Sequence, residues 1–135
     1  MKQTIFSTII LLTVSGCAVS LPEDELSSAR NKLEHFLQNA EMTQSEMNII
    51  SANVLQLANM EKALLEYRIE NQSNFRKIEK AFNTDREAWE KRVKKEASKP
   101  SPYEGGSFAA LDHNSKMTDC VKKRIAELKT KWRTK

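Results

Sequence analysis

The sequence predicts an all-α protein, an elongated antiparallel bundle or hairpin of three to four helices with one Pro/Gly loop before the last helix. Three observations carry that reading. Residues 23–99 contain neither Gly nor Pro, the two strong breakers of regular structure. Apolar side chains recur through that stretch at helical rather than alternating spacing. With only three Gly, three Pro and 7% aromatic residues, the chain lacks the turn and β-strand residues that a sandwich or barrel needs.

The first helix is placed after Pro22, which suits a first helical turn. Glu23, Asp24 and Glu25 follow and complement the positive end of the helix dipole. Leu26, Ala29, Leu33, Phe36, Leu37 and Ala40 supply its apolar stripe. A second start signal comes at Thr43 and Glu46, spaced as a capping box, with Met42 and Met47 placed as a hydrophobic staple. Met47, Ile50, Val54, Leu57, Leu64 and Tyr67 carry the next stripe. The polar run Asn71–Asn74 interrupts it and predicts a bend. Phe75, Ile78, Phe82, Trp89 and Val93 then resume it. After the loop, Met117, Val121, Ile125, Leu128 and Trp132 share one face of a last helix. Single amphipathic helices are not stable alone in water, so these stripes are expected to pack on one another as a core.

The N-terminus reads as an address. Lys2 precedes an apolar run from Ile5 to Val14, too short to span a bilayer, for which about 20 residues are needed, but suited to the core of a secretory signal. The run ends in Val14-Ser15-Gly16-Cys17, which resembles the bacterial lipobox. That resemblance implies a lipoprotein signal peptide over residues 1–16, acylation at Cys17, a tether over 17–22 and a helical domain over 23–135. The alternative is ordinary cleavage after Ala18, which leaves an unanchored periplasmic protein. With Ala rather than Asp at position 18, envelope-sorting rules imply the outer membrane, facing the periplasm. Acyl chains of a lipoprotein exceed the two-signal threshold for stable anchoring. The compartment is oxidising. Once Cys17 is acylated, Cys120 has no partner in the chain and is expected to be a buried thiol, or else to form an intermolecular disulfide.

Charge is divided unevenly along a chain of net charge +4. Residues 17–72 hold nine acids and four bases, residues 73–135 seventeen bases and nine acids. One expectation is that the oppositely charged halves pair against each other. A functional alternative is that Arg92, Lys94, Lys95, Lys122, Lys123 and Arg124 face anionic lipid headgroups or wall polymers. Nucleic acid is a poor partner for an exported chain with no aromatic-interleaved basic motif.

No nucleophile elbow, P-loop, dinucleotide fingerprint or zincin helix is present. His35 and His113 are the only histidines and bring no convergent ligand set with them. The sequence therefore predicts neither an enzyme nor a metal, cofactor or small-molecule substrate.

Several segments in order resemble the lysozyme-inhibitor LprI-like N-terminal domain family of small bacterial envelope proteins. Thr43-Gln44-Ser45-Glu46-Met47-Asn48 matches its opening segment, Ala88-Trp89 the end of its long charged helix, Gly105-Gly106-Ser107 its loop, and Arg124-Ile125-Ala126-Glu127-Leu128 its closing segment. The match covers roughly residues 42–130. It departs at the family's cysteines: Ile49 and Ile50 stand at the first place, Glu96 near the second and Lys116 at the third, with Cys120 one turn later. The disulfides that would staple the loop are thus absent, and the loop is expected to be free.

The resemblance implies a protein-binding module, a lipid-anchored inhibitor of lysozyme or a related wall hydrolase. The loop Pro100–Asp112 would be its inserting element, and Tyr103, Gly105, Gly106, Ser107 and Phe108 its partner-binding residues. Thr43, Glu46, Met47, Asn48, Trp89, Arg124, Glu127 and Leu128 would be its structural residues. The alternative function is a structural or accessory envelope lipoprotein that binds another envelope protein or the membrane surface and inhibits no hydrolase.

Overall fold

A computed structural model of the protein describes residues 22–133. The signal segment 1–16, the acylation site Cys17 and the tether up to residue 21 lie outside the described residues. Four helices account for nearly all of what is described: α1 (Pro22–Asn39), α2 (Gln44–Glu70), α3 (Phe75–Ala97) and α4 (Ala109–Lys131). The all-α expectation holds, and α1 begins at the last residue assigned to the tether.

Each boundary has a local cause. The capping box at the start of α2 forms in full. Thr43 Oγ1 accepts from the Glu46 N–H (3.2 Å), and Glu46 Oε2 accepts from the Thr43 N–H (2.9 Å). The staple is weaker than expected, because Met42 takes a left-handed conformation (φ 57°) that leaves it 55% exposed. The polar run closes α2 and turns the chain. The Asn71 N–H and Nδ2 both donate to the Tyr67 carbonyl (3.1 and 2.7 Å), and the Phe75 N–H to the Gln72 carbonyl (3.1 Å). What the sequence suggested as a bend is a reversal into α3.

Consecutive helices are antiparallel. Arg68 of α2 reaches Glu23 of α1 (2.8 Å) at one end and Arg30 reaches Glu61 (3.4 Å) further along. Consequently α2 and α4 run parallel, and they form the largest interface of the fold. Asn114 donates to Ser51 near the start of both (3.1 Å), and Lys129 pairs with Glu61 further along (2.9 Å). α3 crosses both near their C-terminal halves, while α1 lies against α2 alone. At 1.5 Å per residue, the 27 residues of α2 give a rod of about 40 Å.

Two clusters form the core. Ala58, Val121 and Ile125 pack with Leu55, Leu65 and Trp89. Ile69, Phe82 and Leu128 pack with Phe75, Ile78 and Trp132. Phe82 is fully buried and meets Phe75 and Trp132 edge-on, with centroids at 5.8 and 5.2 Å. The stripes read for α1, α3 and α4 account for most of the buried apolar residues: Leu26, Ala29, Leu33 and Phe36, then Phe82, then Met117, Val121, Ile125 and Leu128. The α2 stripe needs correction. Its buried residues are Asn53, Ala58, Leu64 and Ile69, and Tyr67 is 58% exposed. These positions do not share one helical face, because α2 has neighbours on more than one side.

Arg124 is fully buried between α3 and α4. Its Nη1 donates to Asp85 Oδ2 (2.5 Å) and Glu127 Oε2 (3.2 Å), and its guanidinium carbon lies 5.8 Å from the Trp89 ring centroid. Its Nε and Nη2 have no hydrogen-bond partner among the described residues. Asp85 gathers two more donors, Lys131 Nζ (2.8 Å) and Trp132 Nε1 (3.2 Å). Partial burial raises the Asp85 pKa, but the bonds from Lys131, Arg124 and Trp132 outweigh it and hold the carboxyl at about 2.

One charge expectation is corrected: Arg124 cannot face lipid headgroups, since it is inside. The acidic and basic halves do pack against each other, through α2 and α4 above all, but few ion pairs join them. Among the described residues only Arg86–Glu70 (2.6 Å) and Lys129–Glu61 (2.9 Å) join them, and the other ion pairs lie within one half. Cys120 is a free thiol but only half-buried, on the flank of α4 beside the buried Val121.

Candidate functional site

Residues 98–108 connect α3 to α4 and close over the N-terminal end of α2. The loop is shorter than the Pro100–Asp112 segment expected to insert, because residues 109–112 already form the first turn of α4. Pro100 and Pro102 end any continuation of α3. The chain then makes two tight turns, with the Glu104 N–H donating to the Ser101 carbonyl (3.1 Å) and the Gly106 N–H to the Tyr103 carbonyl (2.9 Å). Gly105 adopts φ +80°, which any other L-residue disfavours, and a Cβ on Gly106 would come within 3.2 Å of the Tyr103 carbonyl oxygen. Gly105 is thus favoured by its backbone conformation, and a side chain at Gly106 would have to push the Tyr103 carbonyl back by a few tenths of an ångström.

The loop is not free, although no disulfide holds it. The Ser107 carbonyl accepts from Gln44 Nε2 and Asn48 Nδ2, both at 3.3 Å, which pins the loop to the first turns of α2. Ser101 Oγ donates to Asp112 Oδ2 (2.8 Å) and accepts from the Tyr103 N–H (3.1 Å). Asp112 also pairs with Lys116 (2.8 Å). The bonds from Lys116 and then Ser101 lower the Asp112 pKa from its ordinary value. This hydrogen-bonded chain ties the loop to the helices on either side of it.

With the backbone held, two aromatic rings are displayed. Tyr103 is 53% exposed and Phe108 48%, with ring centroids 6.0 Å apart. The last turn of α1 and the chain entering α2 each bring a further exposed apolar side chain to the same end, Leu37 and Met42. Exposed aromatics on a pre-organised loop are suited to anchoring a protein interface, because little entropy remains to be lost on binding.

The sequence-predicted residues separate into two groups. Tyr103, Gly105, Gly106, Ser107 and Phe108 are brought together in the loop. Asn48 touches that loop, Thr43 and Glu46 form the adjacent cap, and Met47 is half-buried beside them. Trp89, Arg124, Glu127 and Leu128 form or border the core at a distance from it. Sequence reasoning missed Gln44, Ser101 and Asp112 as the residues that tie the loop, and Leu37 and Met42 as exposed apolar neighbours. A Ser–Pro start and an Asp in the first turn of α4 were the available signals. No group of three or more His, Cys, Asp or Glu that could hold a metal is present among the described residues. No described helix is long and apolar enough to cross a membrane.

Comparison with protein-family models, with curated proteins and with solved structures finds no match.

Proposed function

We propose that the protein is a lipid-anchored lipoprotein of the cell envelope, held in the outer membrane facing the periplasm, that binds a protein partner through the α3–α4 loop. The specific partner proposed is lysozyme or a related cell-wall hydrolase, which the protein inhibits. One observation carries the reading: Tyr103 and Phe108 are half exposed on a loop whose backbone is fixed to α2 and α4 by side-chain hydrogen bonds. A loop fixed in this way spends little entropy on docking. The proposal that the partner is a hydrolase draws on the resemblance of the loop and its flanking segments to the LprI-like family. The anchor draws on the Val14–Cys17 segment.

The test is wall lysis followed by turbidity, with the mature chain lacking Cys17. The protein should slow lysis by at least one lysozyme at micromolar concentration, and Tyr103→Ala with Phe108→Ala should abolish the effect without changing helix content. No slowing over several lysozymes contradicts the hydrolase reading.

A further inference from the structure

The opposite end of the molecule carries a second feature. The turn between α2 and α3 and the end of α4 enclose a solvent-open cleft of about 630 Å³, lined chiefly by Gln72, Ser73, Asn74, Lys131, Trp132 and Arg133. Its polar lining is two cations, a hydroxyl, two amides and an indole whose single N–H is already given to Asp85. Among the described residues no carboxylate lines it, and Asp85 behind it accepts from both Lys131 and Trp132. Lys131 gives one bond to Asp85 (2.8 Å), and an ammonium has three to give. Gln72 Nε2 is a buried donor without an acceptor among the described residues. Asn74 opens α3 with no side-chain cap bond.

The location is informative. The Glu23–Arg68 pair puts the N-terminus of α1 beside the C-terminus of α2, at the end where this cleft lies. Five peptide steps lead from Cys17 to Pro22, a reach of about 18 Å at most for an extended chain. An acylated Cys17 therefore holds this end at the bilayer surface. Lys and Arg are the side chains that bind phosphate, and Trp is enriched where protein meets the headgroup layer.

We propose that this cleft binds the phosphate of an anionic phospholipid headgroup in the membrane that holds the anchor. The bundle is thereby seated with its Tyr103–Phe108 end directed outward. The orientation rests on the anchored reading of Cys17, but the binding itself does not.

The test uses the mature chain without its acylated Cys17, which retains all four helices. It is mixed with vesicles of phosphatidylcholine alone or with added phosphatidylglycerol, and binding is read by co-sedimentation. Binding is expected only to the anionic vesicles. Removing each cation should weaken it about five-fold, so Lys131→Gln with Arg133→Gln should nearly abolish it. The same loss of charge on the flank of α3, Lys94→Gln with Lys95→Gln, should change it far less. Should the double change at the cleft disturb folding, Arg133→Gln alone, which leaves the Lys131–Asp85 pair intact, should still give the five-fold loss. Equal losses from the cleft and flank variants overturn the proposal in favour of diffuse attraction. Tight binding of inorganic phosphate with no preference for vesicles overturns the lipid commitment. An unmodified Cys17 found by mass spectrometry of the cellular protein would refute the anchor and leave this vesicle binding untouched, so the two failures are distinguishable.

Discussion

Removing Asp85 should be among the most damaging single changes to this fold. Arg124 is fully buried, and two of its three nitrogens already lack partners among the described residues. Its charge is balanced by Asp85 at 2.5 Å and by the half-exposed Glu127 at 3.2 Å. Asp85→Ala leaves a buried guanidinium with one peripheral carboxylate, and it also strips an acceptor from Lys131 and Trp132. Breaking a buried pair from one side costs about 3–5 kcal/mol, a large part of the stability of a small domain, which is about 5–15 kcal/mol. For a domain of this size the melting temperature should fall by more than about 10 °C. Thermal and urea unfolding followed by circular dichroism at the helix band would measure this. The reasoning also predicts recovery. Asp85→Ala combined with Arg124→Met removes the stranded charge and replaces it with a flexible apolar chain against Trp89, so the double variant should be more stable than Asp85→Ala alone. A single Asp85→Ala variant that melts within about 1 kcal/mol of the parent would refute the argument, because solvent would then have to reach Arg124.

Three further outcomes follow from the same structure. Stability should fall in acid between about pH 4 and pH 2, because Asp85 is held at about 2 against an ordinary 3.8, and a carboxylate with a lowered folded-state pKa loses its contribution as pH drops through that window; after discounting for residual exposure, about 1–2 kcal/mol should disappear there, and Asp85→Asn should remove that part of the fall. Phe82→Ala, which empties the site between Phe75 and Trp132, should cost about 3–5 kcal/mol in urea unfolding. Thr43→Ala should cost about 1 kcal/mol by removing half of the capping box, with no change in the loop contacts of Asn48.

The fold was legible where a helix buries one face. α1, α3 and α4 each meet their neighbours along a single stripe, so Leu33, Phe82 and Val121 announce themselves by spacing alone. α2 hides its role because it is packed from several sides, so that Asn53 is buried while Tyr67 is exposed. Asn53 could not be read as interior from its type; its Nδ2 is satisfied by the Ile49 carbonyl one turn back (2.8 Å). Arg124 was legible only as a charged residue in a recurring segment, and nothing local shows that Asp85, 39 positions away, makes its burial possible. The candidate loop was visible from its Gly and Pro residues, but its rigidity was not. Gln44 and Asn48 reach Ser107 across 63 and 59 residues, and such a tie exists only after α2 and α4 have been laid parallel.

The account's central claim is that one end of the bundle is tethered and the other, with Tyr103 and Phe108, meets a protein. It is tested most directly by placing a photoreactive aromatic residue at position 103 of the intact chain in cells and irradiating. The account predicts a discrete adduct that mass spectrometry identifies as a cell-wall hydrolase, formed from positions 103 and 108 and not from Lys91 on the flank of α3. Adducts of equal yield from all three positions, or none from the loop, would contradict it.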